Sequence, residues 1–312
     1  MNYGSLIRES WEFTWRYRFL WVLGLFAGGA AGTSFGSGSG WREPARWQGG
    51  QPEGWPPVPA ADQFAQNVIA WASANIALIV AAAILLAILG LALMIVSLIA
   101  QGGMARATID IAEHHPMGLG QAWQAGLRLF WRFLALWLLV VAITVLIGAA
   151  VATLVGLASY IGYTVQVPNV VAGVVAVLIG LPLLLIGIAF GIGLSIVVPY
   201  AQRAIADQNI GPVDGLRAGV ALLRAHLGES LMVWLLNIAL AIGAAIAASI
   251  AMVVVLIVLG VIGYLFWATL GLTTPTIVYA ALGGIAFVAA GLVLLAIANT
   301  FFWNYWTIAY LR

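Results

Sequence analysis

Residues 231–271 read LMVWLLNIALAIGAAIAASIAMVVVLIVLGVIGYLFWATLG, with no acidic or basic side chain anywhere in the run. About 20 apolar residues of helix cross the hydrocarbon core of a bilayer. A charge held at its centre costs at least about 2.5–3.5 kcal/mol. The run therefore reads as membrane-spanning. It could be one long tilted helix, or two short ones turning near Gly260 or Gly263. No polar residue marks a turn, which favours one.

Working outward, comparable apolar spans fall at 18–35, 66–100, 133–162, 170–199, 231–270 and 276–306. The breaks between them carry turn chemistry: Gly, Ser and Pro over 33–62, Pro168 in a short polar turn, and Thr273-Thr274-Pro275. The expected fold is all-α, a polytopic transmembrane bundle of six spans forming one membrane domain over 1–312. Phe19–Gly32 could pass for a signal-peptide core. The segment before it is long, carries Glu9 and Glu12 and is rich in aromatics, unlike a short basic leader. A retained first helix is expected.

The chain has 312 residues, 64% hydrophobic and 7% charged. A soluble domain carries nearer 25% charge, so no water-soluble core can be built from this composition. The net charge of +2 gives no footprint for nucleic acid, and none is expected as a partner. Cysteine is absent, which excludes disulfides, thiolate metal sites and thiol nucleophiles.

All twelve basic residues are Arg. Ten lie on one side of the expected topology and two, Arg42 and Arg46, on the other. By the positive-inside rule, both termini are expected in the cytoplasm.

An internal repeat emerges from the same segments. Trp15-Arg-Tyr-Arg-Phe-Leu-Trp21 matches Trp131-Arg-Phe-Leu-Ala-Leu-Trp137, and Arg106-Ala-Thr-Ile-Asp110 matches Arg203-Ala-Ile-Ala-Asp207. A small residue or Pro stands twelve residues before each of Arg16, Arg132 and Arg224 (Gly4, Gly120, Pro212). The unit is an amphipathic segment followed by two spans, occurring three times: 3–100 with an outer loop over 33–65, 101–200, and 201–312. In the first copy Ile7, Trp11 and Trp15 oppose Arg8, Glu12 and Arg16. In the second, Leu119, Trp123, Leu127 and Phe130 oppose Arg128 and Arg132. In the third, Leu216, Val220 and Leu223 oppose Arg217 and Arg224. Such helices lie in the headgroup plane, so three interfacial helices are expected around one rim. Arg8, Arg16, Arg128, Arg132, Arg217 and Arg224 are the candidate lipid-headgroup residues, and membrane lipids the expected partners. Another membrane protein or a second copy of the chain is a further possible partner.

Three amides, Asn75, Asn237 and Asn299, fall inside spans. Amides in hydrocarbon need partners. Asn237 and Asn299 are expected at similar depth, bonded to each other; lining a polar pathway is the alternative. His114 and His115, with Asp110 and Glu113, form a weak candidate metal cluster, since adjacent histidines point apart and Pro116 follows. The expectation is no metal and no cofactor. Arg106–Asp110 and Arg203–Asp207 are spaced for i,i+4 ion pairs. Gly24, Gly28 and Gly32, then Gly148, Ala152 and Gly156, then Gly187 and Gly191, are spaced for close helix packing, and Phe301–Trp306 reads as an interfacial aromatic belt. Trp41, Trp47 and Trp55 give the outer loop interfacial anchors. Pro182 should kink its span.

The repeat of Gly118-Leu-Gly-Gln-Ala-Trp-Gln-Ala-Gly-Leu-Arg128 and Gly211-Pro-Val-Asp-Gly-Leu-Arg-Ala-Gly-Val-Ala221 between span pairs resembles a broad group of uncharacterised bacterial six-span proteins. It is similar to the membrane domain beside some glycerophosphodiester phosphodiesterases and to YciC-like inner-membrane proteins. The resemblance implies location, in a bacterial inner membrane, and topology; the phosphodiesterase's own catalytic domain has no counterpart here. Shielded acid–base chemistry needs a titratable group, and the spans offer none. The expected function is therefore non-catalytic, as scaffold, lipid-associated factor or accessory subunit. The alternative is a transporter of a small or lipidic solute along the bundle axis.

Overall fold

The computed structural model describes residues 2–31, 61–115, 117–164, 169–271 and 273–312. Among them, all regular structure is helical: α1 (Tyr3–Arg16), α2 (Leu20–Ala31), α3 (Ala61–Ala74), α4 (Ile76–Ala112), α5 (Leu119–Thr164), α6 (Asn169–Gln208), α7 (Pro212–Ala225), α8 (Leu227–Leu270) and α9 (Thr274–Leu311). Five of these, α4, α5, α6, α8 and α9, are long and apolar enough to cross a membrane. The span expected at 18–35 is described as α2; its remainder lies outside the described residues, as does most of the outer loop with Trp41, Trp47 and Trp55.

Local chemistry sets the helix ends. The Asn2 side chain accepts from the Ser5 N–H at 3.3 Å and starts α1, as N-cap amides do. Pro212 and Pro275 sit in the first turns of α7 and α9, where the missing N–H would have been unpaired in any case. Gly271, at φ +64°, ends α8, using left-handed backbone that glycine adopts without penalty. Residues 231–270 of the uncharged run lie within α8, a single helix, and Gly271 caps it. Its 44 residues extend about 66 Å at 1.5 Å per residue, well beyond a hydrocarbon core of about 30 Å.

The C-terminal ends of α4, α6 and α9 meet. Arg106 of α4 bonds the Ala206 and Asp207 carbonyls of α6. Arg203 of α6 bonds the Trp303 carbonyl of α9. Thr108 of α4 bonds Asn304 of α9 at 3.0 Å. Around this junction pack α1, the starts of α5 and α8, and α7, with α2 between α4 and α9. The buried core sits here, on Leu20, Leu23, Met104, Ile109, Phe133, Ile205, Tyr305 and their neighbours. Away from this polar end the long helices carry exposed apolar side chains, such as Leu85, Leu146, Leu178, Ile250, Val261 and Ile285. Contiguous apolar surface of this extent needs an apolar medium.

The helices that open at the polar end dock through small residues. Ala122 and Gly126 of α5 lie on Ile99, Gly102 and Gly103 of α4; a Cβ on Gly126 would run into the Ile99 carbonyl oxygen. Gly215 and Gly219 of α7 lie on Val197, Ala201 and Ile205 of α6. Leu6, Ser10 and Thr14 are the buried residues of α1, which packs on α9. In the α5–α4 and α7–α6 contacts a missing side chain lets two backbones close on one another.

On α1 the stripe Ile7-Trp11-Trp15 leaves Trp11 51% and Trp15 40% exposed, while Leu6, Ser10 and Thr14 beside it are buried. Several expectations are corrected. The second amphipathic segment is not a separate helix but the opening of α5, whereas α1 and α7 are set off by breaks at Tyr17 and His226. The Trp21 indole holds the first break by donating to the Thr14 carbonyl at 2.8 Å. The Phe301–Trp306 run is no belt. Phe301, Trp303, Tyr305 and Trp306 are buried, because the end of α9 is surrounded by neighbouring helices, and the Tyr305 hydroxyl donates to the Val233 carbonyl at 2.9 Å. Of the glycine ladders, Gly24 and Gly28 pack against Thr300 and Asn299 of α9, while Gly148, Gly156, Gly187 and Gly191 face open space; Gly32 lies outside the described residues.

Candidate functional site at the polar end

Arg203 stands at the centre of the junction, 2% exposed. Its Nε donates to Thr307 Oγ1 at 3.4 Å. Its Nη1 donates to the Pro199 carbonyl at 3.1 Å and to Gln202 Oε1 at 3.2 Å. Its Nη2 donates to the Trp303 carbonyl at 3.3 Å, and the guanidinium lies 4.2 Å from the Trp303 ring centroid. Every acceptor is neutral. Among the described residues no carboxylate pairs with it, so the expected Arg203–Asp207 ion pair does not form; Asp207 instead accepts from the Tyr310 hydroxyl at 3.2 Å. What offsets the buried cation is the set of four hydrogen bonds to neutral acceptors, with a π face beside it.

From Arg203 a chain of side chains crosses the junction. Gln202 Nε2 donates to Gln101 Oε1 at 3.3 Å, and Gln101 Nε2 to Ser97 Oγ at 3.2 Å. On the other flank Asn304 Nδ2 donates to Thr14 Oγ1 at 3.2 Å and Asn304 Oδ1 accepts from Thr108. Sequence reasoning missed this network, because it took Arg203 for a solvated pair partner. Nothing within Arg203-Ala-Ile-Ala-Asp207 separates it from Arg106-Ala-Thr-Ile-Asp110; the acceptors that turn Arg203 inward lie a hundred residues away on α9.

The rim arginines divide by what they touch. Arg106 pairs with Asp110 at 2.9 Å, as expected. Arg132 caps the end of α6 through the Asn209 carbonyl at 2.7 Å and the Asn209 side chain. Arg312 reaches Ser5 at 2.8 Å and Glu9. Arg8 pairs with Glu12 at 2.8 Å, which holds its guanidinium above the usual range. Arg217 pairs loosely with Asp214 at 3.5 Å, both well exposed. Arg16 lies 5.7 Å from the Tyr17 ring. Arg16, Arg128 and Arg224 have no carboxylate partner among the described residues.

The three span amides stay apart. Asn75 lies between α3 and α4 and donates to the Trp71 carbonyl of its own turn at 2.8 Å. Asn299 donates to the Gly24 carbonyl of α2 at 3.0 Å, not to Asn237. Asn237 Oδ1 is buried with no hydrogen-bond partner. His114 takes left-handed backbone at φ 67° and its Nδ1 lies 3.2 Å from the Ala112 carbonyl. Among the described residues no three His, Asp or Glu side chains group closely enough to hold a metal ion.

Clefts open at this end. One of about 1010 Å³ lies between α1 and the end of α4, bordered by Trp11, Trp15, Arg16, His114 and His115. Another of about 730 Å³ lies among α4, α5 and α6, bordered by Arg106, Asp110, Arg128 and Asp207. A third of about 570 Å³ lies between α5 and α7, where Leu139, Leu216 and Val220 meet Arg217 and Arg224. None of the three is lined by a span amide.

No curated protein and no solved structure matches the chain. The model of a family of unknown function, DUF7544, matches residues 13–311, nearly the whole length, and the chain belongs to that family.

Proposed function

We propose that this chain is a non-catalytic integral membrane protein of a bacterial inner membrane, a lipid-associated scaffold or accessory subunit with both termini cytoplasmic. One observation carries the reading. Acidic, basic and His side chains are absent from 63–105, 133–202 and 230–311, and those of α1 and α4–α8 gather at one end. A shielded acid, base or nucleophile–base pair therefore has no seat along the bundle. The ten arginines at that end support its cytoplasmic assignment. The same end supports six spans in three repeats. α1, α5 and α7 begin after Asn2, Gly118 and Gly211, and positions four and eight residues on hold Leu6/Ser10, Ala122/Gly126 and Gly215/Gly219, all buried.

The transporter reading rests on Asn237, whose orphaned Oδ1 is what a polar pathway would present. The natural absence of cysteine makes the test direct. Single Cys variants at 237 and 299 are treated with a membrane-impermeant thiol reagent in intact vesicles. The scaffold reading expects both to stay unlabelled; labelling at both would establish a water-filled path and displace it.

A further inference from the structure

We propose that the groove between α5 and α7 is a binding site for one anionic phospholipid, its phosphate held by Arg217 and Arg224 and its acyl chain laid along Leu139, Leu216 and Val220. The proposal rests on the membrane reading above and adds which lipid, and where. α7 docks on α6 through Gly215 and Gly219, which turns the neighbouring stripe of Leu216 and Val220 towards α5. Those two and Leu139 are half-buried. The groove of about 570 Å³ falls within the usual size of ligand sites.

Charge complementarity chooses the occupant. Arg217 and Arg224 are seven residues apart, so they share one face of α7 about 10.5 Å apart along its axis. Arg224 has no carboxylate partner among the described residues, and Arg217 has only the loose, exposed contact with Asp214. The cations stand beside an apolar wall, whereas the cleft among α4, α5 and α6 mixes arginines with Asp110 and Asp207. An apolar trough with cations along it matches a phosphodiester headgroup on a hydrocarbon tail. A free phosphate would leave the apolar wall unused. An acidic peptide would bring polar backbone to it.

The full-length protein is reconstituted in vesicles of zwitterionic phospholipid containing one fifth phosphatidylglycerol, extracted gently, and bound lipid is counted by native mass spectrometry. Arg217→Gln/Arg224→Gln should lower retained phosphatidylglycerol roughly tenfold. Val220→Trp and Leu139→Trp fill the trough from opposite walls without changing charge, and at least one that still melts like wild type should displace the lipid. Arg18→Gln, an exposed cation between α1 and α2, should leave it in place. Unchanged retention in the double Arg variant overturns the site, as does equal loss in Arg18→Gln, which would mean charge attraction without a groove. Displacement by millimolar inorganic phosphate with the Trp variants unaffected would also overturn it. Failure of the wild-type chain to float with the vesicles defeats the membrane reading itself and is scored separately.

Discussion

Arg203 shows how a residue can mislead when read by spacing alone. Four residues separate it from Asp207, as four separate Arg106 from Asp110, yet Arg106 pairs and Arg203 turns inward. The difference comes from α9, which presents the Trp303 carbonyl, the Thr307 hydroxyl and an indole face to α6 and gives Asp207 the Tyr310 hydroxyl instead. Nothing local to α6 encodes that choice, so it was not legible in the sequence. Removing the guanidinium strands the groups it serves, and a hydrogen bond to a charged group contributes about 1.5–3 kcal/mol. Arg203→Ala should therefore destabilise the fold by about 3 kcal/mol. Arg203→Lys, which keeps the charge but cannot fork between α6 and α9, should fall between. Thermal unfolding followed by tryptophan fluorescence, in one detergent at one scan rate, reads the order. An alanine variant melting like wild type would show the cation to be dispensable.

At the scale of elements, apolar runs made the helices legible, and α8 is continuous as the lack of turn residues suggested. What periodicity could not tell is where a helix breaks between an interfacial segment and its span. α5 runs through that junction, while α1 stops at Tyr17 and α7 at His226. Nor could a glycine ladder say which glycines carry a contact. Gly126 and Gly148 have the same residue type in the same helix, and their surroundings differ. A methyl group on Gly126 meets the Ile99 backbone, and one on Gly148 meets nothing within 4 Å. Gly126→Ala should push α5 off α4 at the 1–3 kcal/mol typical of overpacking. Gly148→Ala should be neutral or slightly stabilising, through better helix propensity. Unfolding midpoints of the two variants against wild type decide it; equal midpoints would remove the packing argument for α4 and α5.

At the scale of the molecule, buried contacts and hydrogen bonds between helices concentrate at one end; beyond it α8 and α9 meet through Tyr279, whose hydroxyl donates to the Leu259 carbonyl at 2.8 Å and whose ring stacks on Phe266, while much of the remaining helix surface is exposed. The sequence announced an apolar exterior but not this polarity of packing, because residues such as Gly148 and Gly187 look identical whether they face a helix or lipid. Opening free energy follows buried contact, so stability should be graded along each long helix. In detergent, amide exchange should be slowest for 97–109 of α4, 196–206 of α6 and 300–309 of α9, where buried residues cluster. It should be faster for 140–157 of α5 and 240–262 of α8, whose apolar side chains are largely exposed. Transfer to a bilayer should slow the second group far more than the first, since lipid replaces water around helices that protein does not cover. The slowest exchange in the middle of α5 or α8 in detergent would place the cohesive core elsewhere. It would also imply that α5 and α6 close on each other in a way their exposed surfaces do not suggest.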